Sequence, residues 1–429
     1  MGKDTAKPLS IFLGIQEIAG YYVNLEKGLT ENGVKARLVT TRPHPFNYGQ
    51  GQPNPWPAEV ASNGVRGFRK SHGIALWWYA AQFMFGSILT LLWAIPRYNT
   101  FVFGWGMSFL PGNVDVLILR LCGKKVVSVL GHGSEARPPY MSTPPEALPL
   151  PAKRLKGLTE EVRRIARRVR RLERWSTHTI GMLTTAQFFK QKFIDFYYIG
   201  LPTPTRKLRE VNPVEETFTI LHVPSNMAVK GTTHIRESVA KVTQRHPHVK
   251  YVELSGVSHS RVMKAMAEAD VVVDWVWSDI PMAVVGTEAA SLGTPTIISS
   301  YAWPQWDAWE KKNPGLRPPA IYSTPDTLTQ DIEDSVLKVR RTHELGHAAR
   351  EFVTTKWSAS KVAGTFVSAI TGQLPEEGFI NPEDVTYLWG AGVSQEDVKQ
   401  LVGDLVRSHG VASLRWERGA KLYGFEEES

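Results

Sequence analysis

The sequence holds one cysteine, Cys122, among 429 residues. A single thiol excludes an internal disulfide framework and a cysteine-ligated zinc site, and it fits a reducing compartment. There is no Asp-x-Asp, the acidic signature that would hold a metal against a diphosphate. There is no internal repeat and no low-complexity tract. No secretory leader is expected, because MGKDTAKPLS is polar and runs straight into the strand-like IFLGI. Met1-Gly2 lacks the Ser or Thr at position six that myristoylation wants. The expected location is cytoplasmic, including the inner face of a membrane as a peripheral protein.

What is present is globular. Hydrophobic residues make up 42% and charged residues 21%, which places the chain away from disorder. Its length allows two full domains and a remainder. The 35 glycines and 28 prolines suit a loop-rich α/β protein. A net charge of +9 favours anionic partners such as nucleotide phosphates, anionic lipids or nucleic acid, and selects none of them.

Along the chain, residues 9–42 read as one strand–helix–strand unit, with Gly14 and Gly20 in its first loop. Residues 43–65, rich in Pro, Gly and Asn, read as a long loop. Strands at TFVFGWG, KKVVSVL and HTIGMLTT and a helix at FFKQKFIDF complete a first domain, residues 1–205. Pro202, Pro204 and Pro213 mark a linker. A second alternating series, residues 206–375, carries strands at FTILHVPS, KYVELSGV, DVVVDWVW and TIISS, and ends in residues that read as helical throughout. Residues 376–429 look appended: a helix, SQEDVKQLVGDLVRSHG, then a β-hairpin, VASLRWERGAKLYGF. The expected fold is therefore α/β, two Rossmann-like domains facing across a cleft, with a small C-terminal α+β appendage.

Two further stretches stand out. Ile74 to Ile95 carries no charge and follows Arg66, Arg69 and Lys70. It is read three ways: a helix buried against the sheet, a helix dipping into a membrane surface or shaping an apolar acceptor site, or a transmembrane span. The helix 153–175 has far more basic than acidic residues. It is read as a solvated face or as one drawn to an anionic membrane or substrate.

Three loops would face the cleft. In IPMAVVGTEAASLGTPTII, Pro281 and Gly286 punctuate a helix start and Gly293 stops the helix. Helix N-termini attract phosphate, and Glu288, about two turns inside, can accept hydrogen bonds from vicinal hydroxyls. In HVPSNMAVKGT, Lys230 would point a cation at a diphosphate. In GHGSEAR, His132 stands between glycines, with Glu135 and Arg137 placed to touch acceptor or phosphate. No convincing Ser-His-Asp set or paired carboxylates are evident.

Together these residues resemble the GT-B glycosyltransferases, specifically the retaining glycosyltransferases of family 4, over residues from about 9 to 372. HVPSNMAVKGT, VELSGVSHSRVMKAMAEADVVVD and GTEAASLGTPTIIS carry the resemblance. It implies that Glu288 binds ribose, Lys230 contacts the donor diphosphate and His132 approaches the donor hexose. Donor contacts are expected from Ser225, Asn226, Lys230, Gly231, Gly256, Val257, Pro281, Met282, Ala283, Val284, Thr287 and Glu288. Gly14, Gly20, Glu135 and Arg137 would lie on the acceptor side. KWSASKVA resembles the helix that crosses back to the first domain. Two positions depart from the pattern. Ile280 stands eight residues before Glu288, where the family has a glutamate, with Asp279 one residue off; and no arginine occurs from Ser225 to Val229.

The resemblance implies sugar transfer from a UDP- or GDP-linked donor to an acceptor hydroxyl, with retention and without a metal. Such a transfer requires no side-chain nucleophile, which fits the lack of a convincing Ser-His-Asp set or paired carboxylates. No cofactor is expected beyond the donor. The acceptor is a saccharide, a lipid-linked or small molecule, or a protein. Membrane contact through 74–95 and 153–175 is an expected option; nucleic acid is not an expected partner. The rival readings are a sugar-nucleotide epimerase or hydrolase of the same fold, and a non-catalytic binder of nucleotide sugars or nucleic acid.

Overall fold

A computed structural model describes residues 8–42, 52–142, 150–209 and 217–425. In chain order the first part has Ser10–Gln16 (β1), Tyr21–Glu31 (α1), Lys35–Arg42 (β2), Trp56–Phe68 (α2), Ile74–Ala94 (α3), Thr100–Gly104 (β3), Val114–Leu121 (α4) and Lys125–Val129 (β4). Ala152–Trp175 (α5), His178–Gly181 (β5), Phe193–Asp195 (β6) and Phe196–Ile199 (α6) follow. The second part has Phe218–His222 (β7), Met227–Lys230 (α7), Thr232–Arg245 (α8), Val249–Glu253 (β8), His259–Glu268 (α9), Val271–Trp275 (β9), Val284–Leu292 (α10) and Thr296–Ser299 (β10). It continues with Trp303–Lys312 (α11), Ile321–Ser323 (β11), Leu328–Leu337 (α12) and Val339–Thr355 (α13). Ala359–Thr371 (α14), Phe379–Ile380 (β12), Gln395–His409 (α15) and Glu417–Leu422 (α16) close the chain.

Two sheets result. One has the order β12-β6-β5-β4-β3-β1-β2, the other β11-β10-β9-β7-β8. All pairings are parallel except β12 on β6. Strands such as Ile11–Ile15 and Val271–Val273 are unbroken apolar runs because helices cover both faces of a parallel sheet. These are two Rossmann-like domains, as the alternating pattern anticipated.

The domains share packed surface. Trp306 and Trp309 of α11 in the second domain enclose Tyr197 of the first, with ring centroids 4.7 and 5.7 Å away. Trp309 Nε1 donates to Asp195 Oδ2 at 2.6 Å. Burying a side chain of this kind stabilises by about 1.5–3 kcal/mol. The helix α14 crosses back onto α1, as expected. A Cβ on Gly28 would sit 1.9 Å from the Ala359 carbonyl oxygen, so only glycine lets the two backbones approach.

Several expectations are corrected. Part of 43–65 is the helix α2, which starts at Trp56 with Pro57 at its first turn, where a missing N–H costs nothing. Residues 43–51, and Pro213 of the linker, lie outside the described residues. FFKQKFIDF is no helix; Phe193–Asp195 is a strand beside β5, and α6 starts only at Phe196. The stretch before Gly372 breaks at Lys338 and between α13 and α14. The hairpin expected at 411–425 is instead a 3-10 turn, Val411–Leu414, followed by α16. The appended residues join the first sheet through β12, and α15 packs on α5.

The apolar stretch 74–95 is a helix, but not a buried one. Its last turns reach the core through Leu91 and Ala94, Ser87 and Thr90 are buried, and Gly86 faces Ala61 of α2. A Cβ on Gly86 or on Gly64 would collide with the backbone of the partner helix, so the pair is tightly docked. The opposite side, including Ile74, Trp77 and Trp78, is open.

Candidate functional site

The helices that follow β1 and β9, α1 and α10, meet across a cleft. A cavity of about 120 Å³ lies between Ala19, Gly20, Tyr21 and Asn24 of the first domain and His259, Val284, Thr287 and Glu288 of the second. The linker residues Leu201, Pro202, Pro204 and Arg206 close its side.

On the second-domain side, α10 begins at Val284, with Ala283 as its N-cap and no side chain capping it. Its first-turn N–H groups are orphan donors, suited to an anion. Gly286 lies inside the first turn and not before it; a Cβ there would meet the Met282 side chain at 2.7 Å. Gly293 takes the left-handed conformation, φ 83°, that ends the helix. Glu288 sits little more than one turn in, nearer the helix start than the sequence spacing suggested. Its Oε1 lies 2.6 Å from His259 Nε2 at the start of α9. That hydrogen bond raises the His259 pKa above its ordinary value. Arg206 stands near enough to bias His259 in the opposite direction, and brings a cation to the cavity wall.

On the first-domain side, Gly20 caps α1 in a left-handed conformation, φ 84°. The loop before it is braced by Glu17, whose carboxylate accepts from Ile18 N at 2.7 Å and from Val23 N at 2.9 Å. Burial nevertheless pushes the Glu17 pKa up. Gly14 is not in this loop. It is a residue of β1, paired with Val39 and Phe103, and it is small because Phe12 and the Val39 carbonyl fill the space beside it.

Behind Tyr21 lies His132. Its ring meets Tyr21, Tyr22 and Phe196 edge-on at 5.1–5.8 Å and stacks beside Trp105 at 6.2 Å. Tyr22 Oη and His132 Nε2 are 3.2 Å apart. Part of the residue stays open, yet the aromatic wall desolvates the ring and holds its pKa down at about 3. His132 is thus a neutral imidazole, able to exchange hydrogen bonds without carrying charge. Glu135 is buried; its Oε1 accepts from His132 N at 2.7 Å, and its Oε2 has no partner among the described residues. Burial raises its pKa.

Lys230 departs most from expectation. It does not present a free ammonium to the cleft. Its Nζ donates to buried Asp274 Oδ1 at 2.7 Å and lies 4.1 Å from the Trp275 ring centroid. Arg137 likewise is engaged, in a buried ion pair with Asp279 across the domain boundary. Ser225 and Asn226 are exposed, and Asn226 caps α7 by accepting from Val229 N. Gly231 turns left-handed against Val276; Gly256 and Val257 lie in the loop before α9. Pro281 and Met282 are buried. None of these lines the cavity.

The structure therefore gathers Gly20, Val284, Thr287 and Glu288, and adds Arg206 and His259, which the sequence reading missed. His259 was hidden as one polar residue in SHSR. Arg206 had one signal: a linker between two facing domains must pass the cleft. No cluster of three or more His, Cys, Asp or Glu suited to a metal occurs among the described residues.

No protein-family model matches the sequence, and no curated protein is significantly similar to it. Solved structures resemble it distantly. Anabaena Alr3699/HepE in complex with UDP is 12% identical, covers 85% of this chain and 100% of its own, with a TM-score of 0.46. The calicheamicin glycosyltransferase CalG4 is 12% identical over 86% of this chain and 99% of its own, at 0.40. A putative UDP-N-acetylglucosamine 2-epimerase from Listeria monocytogenes is 11% identical over 86% and 96%, at 0.39. These likenesses assign no substrate to this chain.

Proposed function

We propose that this chain is a GT-B glycosyltransferase that moves a sugar from a nucleoside-diphosphate donor, UDP- or GDP-linked, to an acceptor hydroxyl. Residues 206–375 would hold the donor and residues 1–205 the acceptor. The observation that carries the reading is the meeting of Glu288, the uncapped start of α10 and Arg206 on one cavity wall. A carboxylate for a ribose diol, orphan N–H groups for phosphate oxygens and a guanidinium are the three chemistries a nucleoside diphosphate asks for.

In this reading the helix start and Arg206 stabilise the departing diphosphate without a metal. The acceptor oxygen attacks the anomeric carbon on the face the diphosphate leaves. The carbon–oxygen bond to phosphate breaks, and the acceptor proton passes to the leaving phosphate oxygen. Retention follows from that geometry. Neutral His132 would hydrogen-bond the donor sugar from behind Tyr21.

Sites for ligands of this size are about 300–1,000 Å³. The cavity of about 120 Å³ is smaller, so in this reading it holds part of the donor unless the domains part. Calorimetric titration with UDP, GDP and their glucose conjugates tests the reading. Micromolar binding weakened about 10- to 100-fold by Glu288→Ala supports it; no binding of any nucleotide overturns it.

A further inference from the structure

We propose that the outer helices of the first domain form a docking face for an anionic lipid bilayer, on which the protein lies as a peripheral, in-plane guest. This goes beyond the reaction proposed above and does not depend on it.

The face starts with α3. Ile74, Trp77, Trp78, Phe85, Ile88 and Leu92 are exposed and recur at helical spacing, so one whole side of a charge-free helix is open. Ile74, Trp77 and Trp78 are 89%, 79% and 71% exposed. Isolated exposed apolar residues need no explanation, but a stripe along a helix of this length does. A second stripe runs along α4, where Val114, Leu117, Ile118 and Leu121 are exposed.

Topology puts the two stripes on one side of the sheet. The crossovers β2 to β3, β3 to β4 and β4 to β5 all step in the same direction across the strand order, and right-handed crossovers place their helices on a common face. That layer contains α3, α4 and α5. The outward side of α5 is cationic: Lys153, Arg154, Lys156, Arg163, Arg164 and Arg167 are exposed, against the exposed acids Glu160 and Glu161. More cations collar the turn between α2 and α3, where Arg66, Arg69 and Lys70 are exposed beside Phe68.

The charge pattern selects the occupant. A second copy seated on the same face would bring cationic ridge and collar near their own images. An anionic bilayer neutralises both while burying the stripes, and tryptophan beside lysine and arginine is the composition of a membrane interface. Crossing the bilayer is excluded by connectivity. The end of α3 is fixed in the core by Leu91 and Ala94, and it joins two strands of one sheet.

The helix is also aimed. The Arg37 guanidinium lies over the Trp93 ring at 5.5 Å and that of Arg42 over Phe83 at 5.1 Å, so α3 runs antiparallel to β2. The residues before Phe83 extend about 13 Å beyond the carboxyl end of β2, at 1.5 Å per residue. That is the end at which the β1–α1 loop lines the cleft.

Flotation of the full chain with vesicles tests the proposal. Wild type is expected to float with phosphatidylglycerol–phosphatidylcholine vesicles, and about tenfold more weakly with phosphatidylcholine alone. Trp77→Ser/Trp78→Ser should cut binding at least about tenfold, with an unchanged melting temperature and unchanged nucleotide affinity. Arg66→Glu/Lys70→Glu should remove the preference for anionic vesicles. Absence of wild-type flotation, or equal flotation of the tryptophan variant, overturns the proposal. So does sedimentation showing a wild-type dimer that the tryptophan variant converts to monomer without any vesicle binding.

Discussion

Glu288 Oε1 and His259 Nε2 meet at 2.6 Å, joining the first turn of α9 to the second turn of α10. The pair fixes the carboxylate at the cavity wall, where the proposed reading has it accept from a ribose diol. Hydrogen bonds to a charged group contribute about 1.5–3 kcal/mol. Glu288→Ala is therefore expected to weaken UDP or GDP binding about 10- to 100-fold, measured by calorimetry. Unchanged affinity would remove Glu288 from the nucleotide site.

The same pair gives a pH dependence. The folded His259 pKa is raised above its ordinary value by Glu288. A raised pKa means the folded state holds the proton more tightly, so this contribution is complete below the unfolded value. It fades as pH rises through the folded one. His259→Gln should flatten the loss of melting temperature as pH rises above about 6.5. A wild-type slope retained in that variant would place its origin elsewhere.

His132 works in the opposite direction. Its folded pKa is held at about 3 by desolvation. Below about pH 6.5 the unfolded chain takes up a proton that the folded chain refuses, so stability falls steadily on acidification. His132→Gln should lose less stability than wild type between about pH 6.5 and pH 4, in denaturant titrations at each pH. Parallel curves would count against the desolvated imidazole.

Buried Lys230 and Asp274 form a second testable pair. Removing one partner leaves a buried charge, at about 3–5 kcal/mol. Lys230→Met should be destabilised by that order, and Lys230→Met/Asp274→Leu should recover much of it. If the single variant keeps wild-type stability but loses nucleotide binding, Lys230 serves the ligand and not the fold.

The close crossing of α1 and α14 is predicted to be intolerant of a methyl group. Gly28→Ala meets the Ala359 carbonyl, and overpacking of this kind costs about 1–3 kcal/mol. Because α14 follows the second sheet in the chain and packs on α1 of the first domain, thermal unfolding of this variant should also show weaker coupling between the domains in calorimetry.

Alternating runs of apolar and amphipathic residues determined the two parallel sheets, because a strand covered on both faces and a helix covered on one leave distinct periods in the chain. The same local rules placed the stop of α10 at Gly293, but set Glu288 about two turns inside a helix in which it stands little more than one turn from the start. Short-range chemistry failed where long-range pairing decides. Phe193–Asp195 is a strand only because β5 lies beside it, and 411–425 is helical because it packs on α15 and the first domain. Charge pairing was equally out of reach. Lys230 and Asp274 stand far apart in sequence, as do Arg137 and Asp279, so only the folded chain shows that these two cations are already neutralised. Exposure of the apolar helix α3 was decided last, since burial depends on what the rest of the chain leaves uncovered.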